Sequence, residues 1–463
     1  MRDSDAAALQ EALSRLGDLA AAAGLAPLPV HFEVVPSTIL YEVAAYGLPG
    51  RFSHWSHGKA YQSLKAQYDL GLVKYFELVV HSDPAEAFLL ESNDLLTNKL
   101  VAGHVLGHAD FFARNAHFRA APRDMADRAP LHADRLRGYE FAHGRAEVEA
   151  LLDALLAIED HVDPGAAGPP PMPLRGLPPG RAGAGPVPGR VAADAEAVEA
   201  RAATLFPRRE GAGASAGRRG PEGADLLLFL ARHAPDLEDW QRDAIDMVRD
   251  EALYFRPQLR TKVMNEGWAT LWHTRLLRDL PLSDGEYLDF ARLNAGVRAA
   301  HPGAINPYLL GVAIYEDIVE RLGERDGLRE CFLIREVEDD VAFVRNHFTR
   351  EVAERLDMFV YSRRDEGGQA LWKVTATDFE AVRDALVRSR EACGRPVVAA
   401  VDFDHGGARE LLLEHSHDGR DLELADAQKA LEHVARIWRH RCRLRTRIAG
   451  EARELVADPP RRG

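Results

Sequence analysis

Apolar residues recur at three- and four-residue spacing along most of the chain, the period of helices packed on a core. Residues 6–23 are Ala/Leu-rich with this spacing and predict an entry helix. The stretch 95–115 is apolar nearly all round, with Lys99, Asp110 and Arg114 as its charges, which predicts a buried helix. Residues 145–161 place Val148, Leu151, Leu152, Leu155 and Leu156 on one face of another. Helical spacing resumes at Asp225 and predicts helices over 237–254, 257–280, 284–299, 307–322 and 337–356, with Pro257 at a helix start. Between 32 and 88 the pattern is mixed and dense in aromatic residues, with helical spacing in several segments.

Two changes of texture divide this pattern. From 163 to 223 the chain turns to Pro169-Pro170-Pro171, Pro178-Pro179-Gly180 and Gly211-Ala212-Gly213, a linker-like composition with room for a short helix near 192–205. After about residue 358, strands are expected at 371–375, 397–403 and 410–415, with helices at 378–389 and 424–441. The expected fold is therefore mainly α. A helical domain (1–162 and 224–357) is interrupted by a flexible Pro/Gly/Ala-rich insertion (163–223). A small α+β module (358–463) with a basic C-terminal helix follows.

Composition narrows the class. A chain of 463 residues exceeds one ordinary core, and 46% hydrophobic with 28% charged residues is the balance of a soluble globular protein. A formal charge of −14 argues against nucleic acid or an acidic membrane surface as a partner. The three cysteines, Cys331, Cys393 and Cys442, form no Cys-x-x-Cys pair, which fits a reducing cytoplasm and gives neither a disulfide framework nor a thiolate zinc site. The acidic N-terminus lacks the order of a secretory signal, and no apolar run reaches the ~18 residues of a membrane helix.

Candidate chemistry centres on two of the predicted helices. His104 and His108 are spaced i, i+4, a common way to present two imidazoles to one ion, and Gly103 and Gly107 before them allow a close neighbour. Glu266 and His273 lie two helical turns apart in Asn265-Glu266-Gly267-Trp268-Ala269-Thr270-Leu271-Trp272-His273 and share a face. Together His104, His108, Glu266 and His273 are candidate ligands for one divalent transition metal such as zinc. A buried hydrogen-bond network and a metal-free catalytic site stay open as alternatives.

Glu266 resembles the third ligand of zinc peptidases of the His-Glu-x-x-His type. Those enzymes need glutamate directly after the first histidine as general base, and Val105 stands there. Glu91, Glu42 and His273 are the nearest substitutes. A di-metal carboxylate version would draw on Glu149, Asp153, Glu77 and His81, although Glu-x-x-His spacing is missing.

Several blocks carry a wider resemblance. Tyr41-Glu42-Val43-Ala44-Ala45-Tyr46-Gly47-Leu48-Pro49, Arg51-Phe52-Ser53-His54-Trp55 and His104-Val105-Leu106-Gly107-His108-Ala109-Asp110-Phe111-Phe112 resemble signature blocks of the SpoVR family, named for stage V sporulation protein R. So do Asn265-Glu266-Gly267-Trp268-Ala269, Ile305-Asn306-Pro307-Tyr308 and Arg335-Glu336-Val337-Glu338-Asp339-Asp340. The resemblance runs from about residue 30 to about 445 and implies a role in spore cortex formation or stress response. Two functions follow: a metal-dependent, hydrolase-like enzyme, or a non-catalytic adaptor that docks a protein partner through the C-terminal module.

Other conspicuous residues have simpler expectations. His54 either adds to a site or caps a turn beside Trp55, and His57 is expected to be structural. Asp402-Phe403-Asp404-His405-Gly406-Gly407 reads as a tight hairpin rather than a metal loop. The arginines from Arg436 to Arg447 read as a solvated helix end. No phosphate-binding glycine loop, Gly-x-Ser-x-Gly elbow or Cys/His pair is present.

Overall fold

The computed structural model describes residues 3–69, 77–162, 224–299, 305–366 and 369–460. Helices dominate it, as the spacing predicts, and a small C-terminal sheet follows them. The expected insertion over 163–223 and its short helix near 192–205 lie outside the described residues. Two compact units form: residues 1–160 with 238–396, and residues 161–237 with 397–463.

Three helices organise the larger unit. The histidine helix, Leu95–Arg114, starts at Asp94, whose carboxylate accepts from Thr97 N at 2.7 Å. Apart from Lys99 it is buried continuously from Leu96 to Phe112. The glutamate helix, Lys262–Arg278, lies against it, and two glycines set the approach. A Cβ on Gly107 would stand 2.7 Å from Ala269 Cα, and one on Gly103 would stand 2.9 Å from Leu277 Cδ1. A third helix, Pro307–Leu322, crosses the glutamate helix where Gly311 meets Gly267, and a Cβ on Gly267 would lie 2.3 Å from the Gly311 carbonyl carbon.

The ends of these helices are held by contacts of different range. Asn306 caps the third helix locally: its Oδ1 accepts from Tyr308 N and Leu309 N, and Pro307 occupies the first turn. The glutamate helix starts on a remote group. Asp340 accepts from Val263 N and Met264 N, each at 2.9 Å. Pro257 therefore does not open this helix, contrary to the expectation from the pattern. It lies in the last turn of the preceding helix, Asp239–Arg260, and the break falls at Thr261.

The mixed region yields helices Ser37–Tyr46 and Trp55–Asp69 together with a three-stranded sheet that helical spacing does not predict. Its central strand, Ala85–Leu90, runs parallel to Val30–Val35 and antiparallel to Glu77–Val80. Strands this short, with the central one buried on both faces, carry no alternation to read.

In the smaller unit, strand Val398–His405 pairs antiparallel with Glu410–His415. The latter runs parallel to Cys442–Ile448 through the crossover helix Leu424–Trp438, and Glu451–Ala457 closes the sheet antiparallel. Helix Leu226–His233 belongs to this unit, with the Phe229 ring stacked 6.1 Å from Trp438. The hairpin Val360–Glu366/Gln369–Ala376 and helix Phe379–Arg390 belong to the larger one. The smaller unit thus resumes at 397, later than the texture change at 358 suggests.

The basic C-terminal helix needs correction. The helix ends at Trp438, Arg439 turns left-handed (φ 64°), and Arg443, Arg445 and Arg447 lie on a strand. Arg441 pairs with Asp458, Arg443 with Glu410 and Glu454, and Arg445 with Glu454, so cross-strand acids neutralise much of the cluster. No helix among the described residues is long and apolar enough to cross a membrane.

Candidate metal centre

His104 and His108 project from one face of the histidine helix, with ring centroids 4.6 Å apart. Glu266 faces them from the glutamate helix. Its Oε2 lies 3.5 Å from His104 Nε2 and 3.5 Å from His108 Nε2. Among the described residues these three form the one group of His, Cys, Asp or Glu side chains whose ligand atoms all lie within 4.8 Å of one another. Both imidazoles are buried. The Glu266 side chain keeps 17% of its surface, although its Oε2 is enclosed and makes no hydrogen bond.

The rings are held from behind. His108 Nδ1 lies 2.9 Å from Asn265 Oδ1, and His104 Nδ1 lies 2.9 Å from His273 Nδ1. Phe112 stacks 6.0 Å from the His108 ring, and half-buried Tyr308 stacks 5.7 Å from His104. His273 is pushed down to about 3, by burial first and then by its neighbour His104, so it is neutral at ordinary pH.

Of the four candidate ligands, His104, His108 and Glu266 converge and His273 does not. Helical rise explains this: seven residues advance about 10.5 Å along the axis, far more than one ion's coordination sphere spans. His273 lies behind His104, with its Nε2 3.0 Å from Asn294 Oδ1. The substitute bases fare no better, since Glu42 and Glu91 are exposed and neither joins the group. Val105 is wholly buried.

The di-metal arrangement does not form among the described residues, and the Glu77 side chain lies outside them. Asp153 instead accepts from Trp55 Nε1 at 2.5 Å and lies 3.1 Å from His54 Nε2, while Glu149 pairs with Arg145. His54 is a cap: its Nδ1 accepts from Ser56 N at 3.3 Å and lies 2.7 Å from Ser56 Oγ. His57 donates from Nδ1 to Phe52 O, a structural place. The Asp402–Gly407 segment turns between paired strands, with Gly406 and Gly407 at positive φ, as expected of a hairpin.

Asn265, Asn294 and Tyr308 are the neighbours of the site that sequence reasoning missed. Asn265 adjoins Glu266 and was open to notice. Nothing in the pattern marks Asn294.

Residues 3–395 match the family described as SpoVR like protein, and residues 396–449 match the SpoVR-like C-terminal domain. The chain belongs to the SpoVR family. It is similar to a protein of Escherichia coli (strain K12) described as Uncharacterized protein YcgB, with 27% identity over 478 residues that cover 94% of this chain and 91% of that one. No solved structure gives a significant match.

Seen in this SpoVR chain, four of the six resembling blocks meet in space. Two supply the converging histidines and glutamate, and Ile305–Tyr308 caps the third helix and stacks on His104. The block 335–340 supplies Asp340, which starts the glutamate helix, and Arg335, which pairs with Asp110 at 3.3 Å. Asp110 in turn accepts from Trp268 Nε1 at 3.0 Å.

Proposed function

We propose that His104, His108 and Glu266 hold one divalent transition metal such as zinc, and that the protein is a metal-dependent enzyme of hydrolytic type. The spacing carries the reading. At 3.5 Å, Glu266 Oε2 is too far from either Nε2 for a hydrogen bond of about 2.7–3.2 Å. Two ligands each about 2.1 Å from a tetrahedral zinc would stand about 3.4 Å apart. A carboxylate and two imidazoles buried at that distance are costly with nothing between them and favourable around a cation.

Two histidines and one glutamate leave a coordination position open on a four-coordinate ion. A metal there would polarise a substrate oxygen and lower the pKa of a bound water. The chain's own residues fix the donor geometry and exclude bulk water on the buried side. They do not supply the general base of a His-Glu-x-x-His peptidase, because Val105 cannot take a proton. The family description supports a role in sporulation, with spore cortex or envelope precursors as the candidate substrate class, or in stress response. The absence of disulfides among Cys331, Cys393 and Cys442 supports a cytoplasmic place.

A second reading, a non-catalytic regulator that docks a protein partner through the C-terminal unit, is favoured by the assignment of all three converging groups as ligands, with Val105 where a peptidase of that type places its base. Elemental analysis of the purified chain tests the metal. About one transition-metal ion per chain is expected, lost in His104→Ala, His108→Ala and Glu266→Gln while the far-UV spectrum is retained. A folded wild-type chain that stays metal-free after incubation with zinc, iron or manganese would sink the proposal.

A further inference from the structure

We infer that His273 is a positioning residue which, with Asn294, sets the tautomer of His104 so that a lone pair at Nε2 faces the metal position. The inference rests on the metal reading above and specifies how that site is made competent. Asn294 Oδ1 can only accept, so at 3.0 Å His273 Nε2 must carry the proton. Two ring nitrogens 2.9 Å apart need one donor and one acceptor, and His273, whose ring proton is committed to Asn294, accepts at Nδ1. Across the 2.9 Å contact between the two Nδ1 atoms, His104 must therefore donate. That leaves His104 Nε2, the atom turned to Glu266, with its lone pair.

Three groups in series thus convert one amide orientation into one ligand state. Turning the Asn294 amide over would reverse every proton in the relay and leave an N–H on His104 pointing at the metal position. His108 needs no such relay, because Asn265, next to Glu266 on the same helix, accepts directly from its Nδ1. The two imidazoles are oriented by different devices, one local to the glutamate helix and one reaching through His273 to the helix Asp284–Val297. Metal-bound histidines are generally fixed this way by a carbonyl or carboxylate on the other ring nitrogen. An intervening histidine extends the same logic by one link.

The test separates proton placement from packing. Zinc affinity, measured by competition with a chromophoric chelator, should fall about 10–100-fold in Asn294→Leu and in His273→Leu, the range for loss of an orienting partner. Asn294→Asp, which can only accept, and His273→Gln, whose amide oxygen can accept from His104, should restore most of it. A packing role alone predicts the opposite order at 294, with the charged aspartate worse than leucine. Wild-type affinity in Asn294→Leu, or Asp no better than Leu, would overturn the inference.

A second measurement does not depend on metal. Nitrogen-15 spectra of the histidine-labelled, metal-free protein, assigned with His104→Gln and His273→Gln, should show His104 protonated at Nδ1 and His273 at Nε2. His104 protonated at Nε2 would refute the relay. A wild-type chain that binds no metal but shows these tautomers would refute only the proposed function.

Discussion

His81 is enclosed completely by Phe112, Phe118 and Tyr254, and neither of its ring nitrogens makes a hydrogen bond. Burial first, and then the Arg123 charge, push its pKa down from 6.5 to about 4. The unfolded chain therefore takes up this proton before the native chain does. Its stabilising effect is complete above pH 6.5 and falls away as the pH drops toward 4, by up to about 3 kcal/mol. His81→Phe should flatten this part of the pH dependence and leave stability at pH 7 within about 1 kcal/mol, since no hydrogen bond is lost. Urea unfolding at several pH values checks it, and an unchanged slope in the variant would refute it. The metal candidates show the other use of buried polar groups, where each ring nitrogen away from Glu266 has a partner. A lone buried histidine and a paired one look alike in sequence, and only their surroundings tell them apart.

At the scale of elements, the site depends on how closely three helices approach. Gly107 lies against the Ala269 backbone, so a methyl group there must separate the histidine helix from the glutamate helix. Gly103 faces the end of the Leu277 side chain, which can swing aside. Gly107→Ala should therefore weaken zinc binding much more than Gly103→Ala, and equal losses by titration would refute this account. Gly311 is tighter still, because its Cβ would stand 2.1 Å from Val263 O. Gly311→Ala should cost about 3 kcal/mol or more of stability, read from the unfolding midpoint, since backbone cannot rotate away. A loss below about 1 kcal/mol would mean the helices slide apart easily. The glycines before each histidine were legible as signs of close approach. Their partners were not, because a glycine encodes room for a neighbour without naming it.

For the whole molecule, a metal that binds only the folded chain must stabilise it. Free zinc at 100 times its dissociation constant should add about 2.7 kcal/mol and raise the melting temperature, with chelator reversing the shift. His104→Ala should melt at the same temperature with and without zinc. A shift of wild-type size in that variant would place the binding elsewhere. At this scale the sequence pattern erred most. It assigned the helix Leu226–His233 to the helical domain, yet Phe229 stacks on Trp438 in the C-terminal unit. It also ended the helical domain at 357, although the larger unit continues to 396. Helical spacing reports that a face is buried but does not report which surface covers it.

Local physics was written in the chain. Helix content, the i, i+4 histidine pair and the Asn306-Pro307 start follow from residues a few positions apart, and the structure bears them out. Tertiary structure decided the rest. It put Glu266 opposite the pair and His273 behind it, and it handed the start of the glutamate helix to Asp340, 77 residues beyond Val263. A periodic pattern specifies the direction a side chain takes from its own helix axis. Which groups meet at 3 Å depends on the distance and crossing of separate helices, and those are set by contacts that the pattern along one helix does not contain.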